Sequence, residues 1–71
     1  MKRSHVSSSN VLSVGYDIST LTMEIEFKSG DIYQYYEVPE IIYKNLINAP
    51  SVGRYLDQNI KKKGYRYKKI Q

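Results

Sequence analysis

The stretch Leu21 to Pro39, LTMEIEFKSGDIYQYYEVP, leaves the chain few choices. Apolar side chains at Leu21, Met23, Ile25 and Phe27 alternate with Thr22, Glu24, Glu26 and Lys28, the period of two that marks a half-buried strand. Ser29-Gly30 comes next and then an aromatic, β-branched run from Ile32 to Tyr36, so a hairpin is expected. A slip of one residue in its register would exchange the two faces. A loop of Ser29-Gly30 alone sets Phe27 opposite Ile32 and points Tyr33 and Tyr35 away from Met23, Ile25 and Phe27. A loop of Lys28-Ser29-Gly30, with Gly30 in the left-handed conformation of a bulge, pairs Ile25 with Tyr33 and Met23 with Tyr35 on the apolar face. The second register is preferred, because Gly then stands where positive φ is needed and two rings join the core.

That core has to be economical. Seventy-one residues make one domain near the size where burial only just offsets the entropy of ordering the chain. There is no Cys to supply a disulfide or a thiolate metal site. His5 stands alone in a Ser-rich stretch with Ser4, Ser7, Ser8 and Ser9. It is read as an incidental surface residue, and neither a metal nor a cofactor is expected. No apolar run approaches the roughly 20 residues that span a bilayer, and Lys2-Arg3 is not followed by the apolar segment of a signal peptide. The expectation is a cytoplasmic protein with no membrane partner.

Around the hairpin the other elements fall into order. Residues 1–8 are polar and expected to be flexible, and residues 9–71 form the single domain. Val11 to Tyr16 reads as a first strand with Leu12, Val14 and Tyr16 on one face and Ser13 and Gly15 on the other. Asp17-Ile18-Ser19-Thr20 supplies the turn. Val38-Pro39 ends the hairpin and opens a helix over Pro39 to Asn48, in which Ile42 and Leu46 share a face with Tyr43 and Ile47 beside them. Ala49-Pro50 breaks it. Ser51 is placed to cap a second short helix carrying Val52, Tyr55, Leu56 and Ile60 on one stripe. Lys61-Lys62-Lys63-Gly64 closes that helix, and Tyr65 to Ile70 alternates aromatic with cationic as a last edge strand. The fold class is α+β: an antiparallel sheet of three to four strands, in the order β-β-β-α-α-β, with two short helices packed on one face.

The net charge of +4 is unevenly spread. Through Ala49 four cations face six carboxylates. From Pro50 onward Arg54, Lys61, Lys62, Lys63, Arg66, Lys68 and Lys69 face Asp57 alone. A basic block of this kind suits a polyanion, and it equally suits a solvated face.

Four groups of residues are candidates for chemistry. The first is the basic block with its interleaved tyrosines, since RNA binding needs cations at phosphates and aromatic faces under unpaired bases. Tyr65 and Tyr67 share one strand face and Arg66 and Lys68 the other, so one face cannot present both sets. The second is Ser51, Gly53 and Arg54, where a helix start favours an anion; the alternative has Ser51 capping its own helix and Gly53 admitting a close neighbour. The third is the Tyr33/Tyr35 pair, read as core because Glu24, Glu26, Asp31 and Glu37 surround it with charge that repels phosphate. The fourth is the Glu24/Glu26 pair as acid and base, but an exposed pair without an enclosing pocket has nothing to raise one pKa. Neither a phosphate loop nor a nucleophile motif is present.

Taken in sequence, Ser13-Val14-Gly15-Tyr16-Asp17, the alternation Leu21 to Phe27 with Gly30, Tyr33-Gln34-Tyr35, Val38-Pro39, Ala49-Pro50-Ser51-Val52-Gly53-Arg54-Tyr55, Ile60 and Tyr65-Arg66-Tyr67 resemble the KTSC domain. That family is named for its place at the C-terminus of some lysyl-tRNA synthetases and also occurs as free-standing bacterial proteins, the form this chain resembles. The family has no established activity, and its association with a tRNA enzyme implies RNA binding. The reading is therefore a small non-catalytic module that binds RNA or tRNA through Arg54, Lys61, Lys62, Lys63, Arg66, Lys68 and Lys69. The alternatives are a protein-interaction module, as an adaptor or as an inhibitor of a host or phage enzyme, and a metal-independent ribonuclease.

Overall fold

A computed structural model describes all residues, 1–71. Five strands form one antiparallel sheet in simple meander order: β1 (Arg3–His5), β2 (Val11–Asp17), β3 (Thr22–Phe27), β4 (Ile32–Tyr35) and β5 (Tyr67–Lys69). Helix α1 (Glu40–Ile47) and helix α2 (Val52–Leu56), the latter prolonged by a π-helical turn over Asp57–Lys61, are inserted between β4 and β5.

The hairpin has the three-residue loop. Phe27 N–H donates to the Asp31 carbonyl at 2.9 Å, Gly30 adopts φ +98°, and Met23 pairs with Tyr35 and Ile25 with Tyr33. This register lines up two rows across the covered face of the sheet: Val14, Ile25, Tyr33 and Lys69, then Tyr16, Met23, Tyr35 and Tyr67. Leu46 from α1, Val52 and Leu56 from α2 and Ile60 from the π-turn close over Val14, Met23 and Ile25 in one buried cluster. Each such aliphatic side chain contributes about 1.5–3 kcal/mol of burial, which is how a chain without cross-links holds together. Ile47, expected beside Ile42, is exposed instead, because α1 turns Ile42, Tyr43 and Leu46 inward.

The strand count exceeds the expected three to four, the first of two departures from the expected fold. Arg3–His5, which the sequence places in a flexible stretch over residues 1–8, pair with Ser13 to Gly15 as a fifth strand. Their sequence carries no alternation of its own. What recruits them is Gly15, over which they lie so closely that a Cβ there would meet the Lys2 carbonyl at 2.7 Å. A bulge between Val11 and Ser13 is the second departure: it turns Val11 fully inward and leaves Leu12 half-buried, where Leu12 had been expected to share the face of Val14 and Tyr16.

Loops are fixed by local hydrogen bonds. The Ser19 hydroxyl and amide donate to Asp17 Oδ1 at 2.6 and 3.0 Å and hold that carboxyl below its ordinary range. At the exit from β4, Glu37 takes φ +58°, and Val38 then donates to the Leu21 carbonyl at 2.9 Å while accepting from the Tyr16 hydroxyl. Tyr16 stacks on Tyr43 of α1 with centroids 5.1 Å apart. No helix is long and apolar enough to cross a membrane.

Candidate nucleic-acid interface

The two faces of the sheet carry different chemistry, and β5 borders both. On the covered face the helices stop short of the hairpin tip. A cleft of about 640 Å³ remains there, between the tip, β5 and the π-turn. Its aromatic lining is Phe27, Tyr33, Tyr35, Tyr65 and Tyr67; Lys28 and Lys61 line it too, with Asn10, Ser29 and Asp31. The rings are in mutual contact. Phe27 meets Tyr33 edge-on at 5.9 Å, Tyr33 stacks on Tyr35 at 6.4 Å, and Tyr67 lies 5.9 Å from Tyr33 and 5.8 Å from Tyr35.

Their exposures are graded. Tyr35 is 4 % exposed, Tyr33 and Tyr65 are half-buried, and Tyr67 is 61 % exposed. Burial, with the neighbouring phenols of Tyr33 and Tyr67 and the Asp57 carboxylate, pushes the Tyr35 phenol up to about 12. It is a neutral hydroxyl at any physiological pH. The tyrosine hydroxyls that bond within the chain are those of Tyr16 and Tyr36; those lining the cleft have no intramolecular partner. Lys61 is anchored between the Phe27 ring, 5.1 Å from its centroid, and Asp57 at 3.5 Å.

The opposite face holds a polar network that spans four strands. Arg3 Nη1 donates to Glu24 Oε2 at 2.5 Å, Gln34 Nε2 to Glu24 Oε1 at 2.9 Å, the Tyr36 hydroxyl to Gln34 Oε1 at 3.2 Å, and the Ser13 hydroxyl to Glu26 Oε1 at 2.8 Å. Arg3 Nε also lies 3.8 Å from Glu26. Glu24 is thereby 6 % exposed. It is not the exposed carboxylate that the sequence suggested: its oxygens are occupied and its charge is matched. Arg66 stacks over the Tyr36 ring at 5.5 Å, and Lys68 stands opposite Gln34 on β5.

The seven cations read from the sequence are thus divided among sites. Lys61 lines the cleft, and Lys61 and Lys69 are the two in exposed ion pairs, Lys61 with Asp57 and Lys69 with Asp31 at 3.4 Å. Arg66 and Lys68 lie on the network face, as their alternation with Tyr65 and Tyr67 required. Lys62 and Lys63 follow the π-turn, and Arg54 sits on α2. No carboxylate is within 4.0 Å of Arg54, Lys62, Lys63, Arg66 or Lys68. Such unmatched exposed cations are the groups able to release counterions on meeting a polyanion.

The Ser51, Gly53 and Arg54 site takes the other form expected of it. The Arg54 amide donates to Ser51 Oγ at 3.3 Å, and Gly53 is covered by Asn10, whose Oδ1 would lie 2.8 Å from a Cβ. The hydroxyl and amide that an anion would use are engaged with each other. Missing from the sequence reading were Lys28, Asn10 and Phe27 as parts of the cleft. The signal for Lys28 lay in the preferred register, which puts it in the loop beside Phe27 and Tyr33; Asn10 is brought in by Gly53, a contact no local pattern announces.

Fold and site define a small single-sheet α+β domain with an aromatic cleft on one face and a hydrogen-bonded carboxylate network on the other. The model of the KTSC domain matches residues 7–68, and the chain belongs to the KTSC domain family. A protein of Stutzerimonas stutzeri described as uncharacterised is 41 % identical over 70 residues, 99 % of each chain. A KTSC domain protein from Yersinia pestis, known from its crystal structure, superposes with a TM-score of 0.93 at 41 % identity, covering 99 % of this chain and 97 % of that one. A lysine–tRNA ligase of Trichormus variabilis is 40 % identical over 55 residues, 78 % of this chain but 10 % of the ligase.

Proposed function

We propose that this domain is a non-catalytic RNA-binding module whose contact surface is β5 with its flanks. The observation that carries the reading is the lack of counter-charge on those flanks: Lys62, Lys63, Arg66 and Lys68 have no carboxylate partner, the first two following Lys61 of a cleft walled by tyrosines and the last two on the opposite face of β5. The acidic hairpin that weighed against phosphate contact is partly offset, since Arg3 lies against both Glu24 and Glu26 and Lys69 against Asp31. Kinship with a segment of lysine–tRNA ligases supports an RNA partner. A binder rather than an enzyme is favoured by the same network, which leaves Glu24 engaged on both oxygens.

Binding of this kind is steeply salt-dependent, and each lost phosphate contact lowers the slope of log K against log salt by about 0.7–0.9. Replacing Lys62, Lys63 and Lys68 with Gln is expected to weaken tRNA binding and flatten that slope by roughly two units, measured by filter binding across a salt series. Unchanged affinity and slope would sink the reading.

A further inference from the structure

Resting on that reading, we infer that the cleft between the hairpin tip and β5 seats one unstacked base of a single-stranded RNA, with the adjoining phosphates on Lys28 and Lys61. The cleft's volume, about 640 Å³, falls in the range of small-ligand sites, roughly 300–1,000 Å³. Its walls are planar. Tyr67, 61 % exposed, offers a free ring face while Tyr33 and Tyr35 support it from behind at 5.9 and 5.8 Å; a side chain backed in this way is a stacking platform that loses little freedom when a base settles on it. Deeper in, phenol hydroxyls without intramolecular partners can both donate and accept. The edge of a base carries both kinds of group, whereas an aliphatic ligand would leave the hydroxyls unmet.

Charge completes the match. Lys28, from the hairpin loop, and Lys61, from the π-turn, both line the cleft. Lys61 is held there by Phe27 and Asp57, and Lys28 has no carboxylate within 4.0 Å. A paired helix cannot present such a base, because its rings are stacked inside; a splayed loop or single strand can. Arg66 and Lys68, on the other side of β5, are left to the more distant backbone.

The test compares three probes on the full labelled chain by NMR: a short single-stranded RNA, the same strand made abasic, and adenosine 5′-monophosphate. The RNA is expected to shift the amides of Phe27, Lys28, Tyr33 and Tyr67. The abasic strand should bind more weakly and move only Lys62, Lys63 and Lys68. Tyr67→Ala should reduce RNA affinity roughly 5- to 150-fold without affecting the abasic strand, and Tyr67→Phe should retain it. Lys28→Gln, in an exposed loop, gives a second variant that spares the core and should lower the salt slope by about one contact. Equal affinity for the abasic and intact strands, or an unaltered Tyr67→Ala, overturns the base seat while leaving the charge reading in place. No binding of either strand at low salt overturns both. Nucleotide monophosphate held as tightly as the strand overturns the strand as occupant.

Discussion

Tyr35 shows how one side chain serves core and cleft together. Its ring completes the cluster with Met23 and Leu56, and its hydroxyl end borders the space beside Tyr67. With the phenol pushed up to about 12, the unfolded chain releases this proton near pH 10 and the folded chain about two units later. The stabilisation is complete below pH 10 and is lost as pH rises toward 12, amounting to about 2–3 kcal/mol across the window. A chemical-denaturation series is expected to show stability falling over that interval, with most of the fall absent in Tyr35→Phe. A smaller slope should persist because Tyr16 is also raised, chiefly by burial and then by Glu40 and Asp17. Absorbance at alkaline pH would show the same event as a tyrosine that ionises only when the chain opens.

Among the elements, β1 owes its place to the residues beneath it. Arg3 reaches across Gly15 to Glu24, and the Lys2 carbonyl occupies the space a Cβ would need. Backbone cannot yield there as a flexible side-chain end could, so Gly15→Ala is expected to lift β1 at about 1–3 kcal/mol. Hydrogen exchange should then rise at the amides that pair β1 with β2 and leave those of β3 and β4 protected. The contrast with β3 and β4 shows what the chain spells out locally and what it does not. The hairpin register could be deduced because Gly30 and the two apolar periods admit one arrangement that buries both tyrosines. The second helix could be deduced because Val52, Leu56 and Ile60 keep helical spacing even where the backbone relaxes to a π-turn. Arg3–His5 carry no such period. Their strand follows from a hole at Gly15 and a carboxylate at Glu24, both distant in sequence, and the same holds for Asn10 over Gly53. The cleft was half legible: alternation separated Tyr65 and Tyr67 from Arg66 and Lys68, but that Tyr67 would meet Tyr33 and Tyr35 depended on β5 pairing with β4.

For the molecule as a whole, the division of charge separates stability from recognition. Carboxylates central to the sheet are consumed internally by Arg3 and Gln34, whereas the cations of the C-terminal third are mostly left to solvent. Exposed side chains with no partner contribute little to folding. Neutralising Lys62, Lys63 and Lys68 together should leave thermal stability within about 0.5 kcal/mol of the parent, read by calorimetry, while affinity for RNA falls. A matched loss of both would place those lysines in the architecture instead of at a partner.

The insertion of both helices between β4 and β5 also orders events in time. As a ribosome delivers this chain, Tyr33 and Tyr35 emerge well ahead of Tyr67, and the meander through β4 can assemble before its last neighbour exists. Until Tyr67 docks beside them the aromatic lining of the cleft is incomplete. Competence to hold a ligand in the cleft is thus reserved for chains translated through β5, and a product cut short after the π-turn would keep most of its core while lacking the place where a base could rest.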